Sequence, residues 1–198
     1  MLSIYNYDGE KLAILKTRKN KNIIGEAFGI THVHEVNAVD TLSFSIPYYI
    51  NIGDKQEENY RVQYIIPDIL VRYRYKNYDE YFTINKINQQ HKDGKVILHV
   101  ECMHISDILN KKGYDKYFDE ESGIGTAQEL MEKVLEGTGW TLAHCDKFYN
   151  KDGVTEKVRT LIVDKVSTME QINKLLELFE GYVIFGNKTI EFRSSIGI

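Results

Sequence analysis

His32 and His34, two residues apart, are the first side chains along the chain whose spacing invites chemistry. On a strand, residues i and i+2 project to the same side, so both imidazoles are placed as metal ligands would be. No third ligand is evident beside them, and a solvated pair is the simpler reading. "ECMHISD" gathers Glu101, Cys102, His104 and Asp107 at a strand end. A thiol nucleophile needs its base in hydrogen-bond reach, yet Cys102 and His104 on one strand face are separated by roughly 7 Å of backbone. A packed cysteine and a surface or capping histidine account for that pattern. The carboxylates of "DEE", Asp119–Glu121, are adjacent and lack the separation a glycosidase pair requires. "GIGT" and "GTGW" contain neither GxGxxG nor GK[ST], and each suits a turn or cap. These residues make no catalytic set and no metal set, and they imply no cofactor.

"VRYRYKNY" interleaves cations with aromatics, the pattern that holds phosphates and stacks bases. Period two, however, puts Arg72 and Arg74 on one strand face and Val71, Tyr73 and Tyr75 on the other. The reading is an amphipathic strand. "KTRKNKN", Lys16–Asn22, reads as a solvated loop.

The elements that must position these residues fall into two groups. The chain has 198 residues, a formal net charge of −4, 42% hydrophobic and 27% charged residues. That is enough to bury a real core, and the net charge gives no electrostatic case for nucleic acid or an anionic membrane. No apolar run reaches the ~18–20 residues of a membrane span, and the first residues lack a signal peptide's basic start and apolar middle. Cys102 and Cys145 have no zinc-site spacing and read as reduced, small apolar residues.

Residues 1–105 read as β, about seven short strands that point to a small barrel or sandwich, of which the β-barrel is the expected form. Asp8-Gly9 and Asp93-Gly94 mark hairpin turns, and another turn falls near Lys76–Glu80. Leu42, Phe44 and Ile46 share a face in a run closed by Pro47; Phe82, Ile84 and Lys86 share another. Residues 106–198 read as an α+β domain, two helices packed on a small sheet. Thr126 and Glu129 form a capping box ahead of the apolar stripe Ala127, Leu130, Met131, Val134 and Leu135. Gly137 and Gly139 then turn the chain toward Trp140, predicted to be buried. Ser167 and Glu170 repeat the device before Met169, Ile172, Leu175, Leu176 and Phe179. Gly181 stops that helix, and Gly186-Asn187 turns a closing hairpin.

In order and spacing, these fragments resemble the N-terminal region of the tail-associated, or "endopeptidase tail", minor structural proteins of Gram-positive phages and prophages. The fragments are "IYNYDGEKLAIL", "EVNAVDTLSFSIP", "EYFTINKI", "HISDIL", "GTAQELMEKVLEGTGW", "RTLIVDKVSTMEQINKLLELFEGYVIFGNKTIEF" and "SSIG". The resemblance covers nearly all of the chain. Lys16–Asn22 enlarges the first loop, and Ala38 stands where a glycine is common after the asparagine.

The resemblance implies a baseplate or tail-tip hub: a homotrimer that closes the distal end of the tail tube in the virion and opens for DNA. Its partners would be the distal tail protein and tube, with the host surface met through a C-terminal region beyond "SSIGI". No membrane, specific nucleic acid or cofactor is implied, and no enzymatic activity within these residues. Two alternatives stay open, a cell-wall peptidase module and a host-surface adsorption module with Tyr-rich strand faces. "QYIIPDILVRYRY" carries more apolar and aromatic residues than one face of a small barrel needs, which marks Tyr73 and Tyr75 as candidates for a subunit interface.

Overall fold

The computed structural model describes residues 1–15, 27–52, 55–92, 94–111 and 116–195. The predicted loop at Lys16–Asn22 and the Asp93 half of the Asp93-Gly94 turn lie outside them. The chain divides into two compact units, one of Met1–His34 and Asp40–Ile105, the other of Glu35–Val39 and Ser106–Ile198.

The first unit holds β1 (Leu2–Tyr5), β2 (Lys11–Leu15), β3 (Phe28–Val33), β4 (Thr41–Pro47), β5 (Tyr49–Ile52), β6 (Lys55–Glu58), β7 (Leu70–Tyr75), β8 (Tyr78–Lys92) and β9 (Lys95–His104). Seven of them form one antiparallel sheet in the order β2-β1-β7-β8-β9-β4-β3, and β5 and β6 pair separately. Among the described residues β2 and β3 end the sheet without pairing to each other, so closure into a barrel is not seen there.

Strict pleat alternation builds the core. Leu2 and Ile4, Val71, Phe82 and Ile84, Val100 and Cys102, Leu42, Phe44 and Ile46 all project to one side and are buried together. Each buried aliphatic or aromatic side chain contributes about 1.5–3 kcal/mol relative to exposure. The β7–β8 turn is a tight two-residue link in which Lys76 takes φ +54°. One expectation fails on β8. The register slips between Ile84 and Lys86, so Lys86 pairs with Glu101 and is exposed, while Ile87 resumes the inward row opposite Val100. An extra residue in one strand of a pair reverses which side the following residues face.

The second unit holds β10 (Lys116–Phe118), β11 (Ile124–Gly125), α1 (Ala127–Leu135), β12 (Thr141–Cys145), β13 (Arg159–Thr160), β14 (Val163–Val166), α2 (Thr168–Phe179), β15 (Tyr182–Phe185) and β16 (Thr189–Arg193). A 3-10 turn at Ile105–Asn110 leads into it. β10 pairs with β14, β11 with β13, and β12, β16 and β15 form a three-stranded sheet whose β12–β16 pair is parallel. The Thr126–Glu129 capping box is complete: Glu129 N–H donates to Thr126 Oγ1 at 3.4 Å, and Thr126 N–H donates to Glu129 Oε2 at 2.8 Å. Its five predicted stripe residues are all buried. Gly137, at φ +78°, supplies the left-handed residue after the helix.

On α2 only half of the box forms, Glu170 N–H donating to Ser167 Oγ at 3.2 Å. Gly181 serves differently from the expectation. The left-handed residue is Glu180, at φ +58°, and Gly181 is required by contact instead. A Cβ there would lie 2.5 Å from the Phe192 ring and 2.9 Å from the Phe148 ring. Those two rings and Phe179 pack in tilted and edge-to-face contacts as one aromatic cluster. Trp140 is 5% exposed and meets Phe185 edge to face at 6.3 Å.

Candidate functional site

The densest polar chemistry of the first unit sits at one end of the sheet's inward rows. Beyond Phe82 and Cys102 these rows end in Tyr78, Glu80 and His104, and beyond Leu42 the next inward residue is Asp40. Asp40 gathers three side chains. His32 Nε2 lies 3.1 Å from Oδ2, His34 Nδ1 lies 2.8 Å from Oδ1, and Tyr78 donates its hydroxyl to Oδ2 at 3.0 Å. His34 and His32 were expected as a solvated pair; instead one carboxylate holds both, because the β3–β4 register sets His32 opposite Leu42. The His32 ring is half-buried, 4.4 Å from the ring of Tyr78 and 5.8 Å from that of Phe82. Burial and the Asp40 carboxylate raise the Tyr78 hydroxyl far above its ordinary value, so it remains a donor.

His104 was expected at the surface or as a cap. It is buried, its Nε2 3.5 Å from Glu80 Oε2, and its ring is edge-on to Phe82 at 5.5 Å. Cys102 points into the core, and burial pushes its thiol up to about 12. A thiol so placed is not a nucleophile at neutral pH. Among the described residues, no group of three or more His, Cys, Asp or Glu side chains is arranged to hold a metal ion.

Sequence reasoning missed a Ser–His contact: Ser45 Oγ and His99 Nδ1 lie 2.6 Å apart across the β4–β9 ladder. The two are 54 residues apart in sequence, and only strand register brings them together. Ser45 is buried mid-strand, with neighbours on both sides of β4, so the local backbone amides serve the ladder rather than an oxyanion. The pair is a cross-strand hydrogen bond.

"VRYRYKNY" divides as its period requires. Arg72 and Arg74 both bind Asp79, Arg72 through Nε and Nη2 at 2.6 and 2.7 Å, Arg74 through Nε and Nη2 at 2.9 and 2.7 Å. On the other face Tyr73 packs against the core, and Tyr75, 56% exposed, stacks parallel to it at 6.4 Å. Asp119 is a loop cap, accepting from the amides of Glu121 and Ser122 and from the Ser122 hydroxyl. Each of these arrangements positions backbone or packs rings. None joins a nucleophile to a base and an oxyanion donor.

Comparison with known proteins bears on the fold. The family described as the YOMG N-terminal domain matches residues 16–102. No curated protein sequence matches the chain. Among solved structures, the prophage tail protein gp18 of Listeria monocytogenes is 11% identical with a TM-score of 0.59, over 96% of this chain and 49% of its own. A tail protein of Neisseria meningitidis is 8% identical with a TM-score of 0.59, again over 96% and 49%. The 43 kDa tail protein of prophage MuSo2 from Shewanella oneidensis is 10% identical with a TM-score of 0.54, over 97% and 52%. The chain thus shares its fold with phage and prophage tail proteins and spans about half of their length.

Proposed function

We propose that this chain is a structural component of a bacteriophage or prophage tail, and within the tail a module of the tip hub. The observation that carries the reading is a fold shared along 96–97% of the chain with three tail proteins of different hosts, at only 8–11% identity.

In this reading the first unit's strands belong to a barrel of the hub ring, and the complete protein is a trimer at the distal end of the tail tube, set against the distal tail protein. Tyr73 and Tyr75 are the proposed subunit contact, an exposed ring stacked on a core-anchored one. The likeness to tail structural proteins favours this reading over a peptidase module.

The test is electron microscopy of purified particles labelled with gold-conjugated antibody against this chain. Gold at the tail tip supports the hub; gold along the tube or on the capsid overturns it. Light scattering on the complete protein should give three copies, and Tyr75→Asp should lower that number. A complete protein that stays monomeric at high concentration counts against the ring.

A further inference from the structure

On the solvent side of the first unit's sheet, β1, β2 and β7 form a small cup with the wrong charge for an acidic protein. The cavity measures about 50 Å³ and is lined by Met1, Ser3, Tyr5, Lys11, Arg72 and Arg74. Strand register builds it: Ser3 stands opposite Arg72, Tyr5 opposite Lys11, and the Met1 and Arg74 backbones bond to each other. Ser3 and Tyr5 are buried and make the floor. The Lys11 ammonium stands 5.6 Å from the centre of the Tyr5 ring, and the Arg72 guanidinium 5.5 Å from that of Tyr81. Tyr5 and Tyr81 in turn meet edge to face at 5.8 Å. Lys11 and Arg72 are thus set against rings, and Asp79 holds Arg72 and Arg74 in place.

Their charge is only partly answered. Asp79 is the carboxylate bound to both guanidiniums, and each spends its Nε–Nη2 edge on it. Arg72 also hydrogen-bonds the Tyr5 side chain at the floor of the cup, and no ion pair to Lys11 is seen among the described residues. Three side-chain cations against one carboxylate leave an excess of two positive charges, in a chain whose formal net charge is −4. The α-amine of Met1, donating to the Arg74 carbonyl at 2.7 Å, is held below its ordinary range by burial and by the Arg74 guanidinium. A confined cavity rimmed by guanidinium and ammonium groups, with hydroxyl-bearing residues at its floor, recognises a small oxyanion.

We infer that this cup is a binding site for a single oxyanion group, a phosphate or a carboxylate. The ligand enters as one group, because the cavity is too small for successive nucleotides. Phosphate and carboxylate share the chemistry of charge-assisted N–H···O bonds, and a free ion or an acidic group on a neighbouring chain could each supply it.

The experiment is an NMR titration of the intact chain at constant ionic strength, following the side-chain Nε–H signals of Arg72 and Arg74. Inorganic phosphate forms one arm, acetate the second and chloride the control. Saturable shifts with phosphate or acetate, absent with chloride, are expected; the tighter arm identifies a phosphoryl or a carboxylate source. Lys11→Gln should weaken binding about threefold or more, and Asp79→Asn, which removes the competing carboxylate, should tighten it by a similar factor. Shifts equal in all three salts, or binding indifferent to both substitutions, would overturn the inference.

Discussion

Glu80 and His104 face each other across the β8–β9 pair with Oε2 and Nε2 3.5 Å apart, their side chains only 18% and 2% exposed. Removing one member takes a close polar neighbour from the other, whereas removing both together is milder. Glu80→Leu alone and His104→Leu alone should each cost on the order of 1–3 kcal/mol. The double replacement should recover a coupling of about 1–3 kcal/mol relative to their sum. Urea denaturation of the four proteins, followed by far-ultraviolet circular dichroism, measures it; strict additivity would remove the pair from the account.

Acid should weaken the protein through Asp79 and Asp146. The Arg72 and Arg74 guanidiniums hold Asp79 at about 2, and the Ser194 amide with His144 holds Asp146 at about 2, against an ordinary 3.8. Both folded values are depressed, so the stability they confer is present above the unfolded value. It is lost as pH falls from about 4 toward 2. The urea midpoint should therefore decline over that window, and Asp79→Asn should flatten part of the decline. A midpoint independent of pH between 5 and 2 would contradict both assignments.

Thiol chemistry should report folding rather than function. Burial raises Cys102 to about 12 and, aided by Asp146, raises Cys145 to about 11. At pH 8 neither has an appreciable thiolate fraction in the folded chain. Ellman's reagent should label both within minutes in denaturant and far more slowly without it. Rapid labelling of Cys102 in the native protein would mean that the core around it opens readily.

Trp140 gives the second unit its own probe. Its emission should be blue-shifted in the folded protein and move red on unfolding, and Trp140→Ala should cost about 3–5 kcal/mol. An emission maximum already at the solvent-exposed position in the native state would sink the packing against Phe185.

What the sequence made legible was local. Thr126 and Glu129 announce a helix start because capping is satisfied within four residues, and the Arg72/Tyr73 alternation reads directly as two strand faces. What it hid was set by pairing. Asp40 joins His32 to His34 only once the β3–β4 register is known. Glu80 meets His104, and Ser45 meets His99, across ladders that no linear pattern displays. Lys86 was misplaced for a related reason, since the slip after Ile84 reverses the pleat without any glycine or proline to mark it. Gly181 looked like a stop signal, yet the Phe148 and Phe192 rings leave no space for a side chain there.

The five residues 35–39 determine how this protein can be divided. They are grouped with the second unit although the strands that flank them belong to the first, and the Asn37 side-chain carbonyl accepts from the Val183 amide on β15. The polypeptide therefore passes from one unit to the other at 34/35, at 39/40 and at 105/106. A single cut at 105/106 parts residues 35–39 from the rest of their unit and leaves the Val183 amide without the Asn37 acceptor. Recombination at that junction pairs the second half with a 35–39 segment from the other parent. Exchange between related genes at 105/106 should therefore do best where the incoming 35–39 segment keeps an acceptor for the Val183 amide.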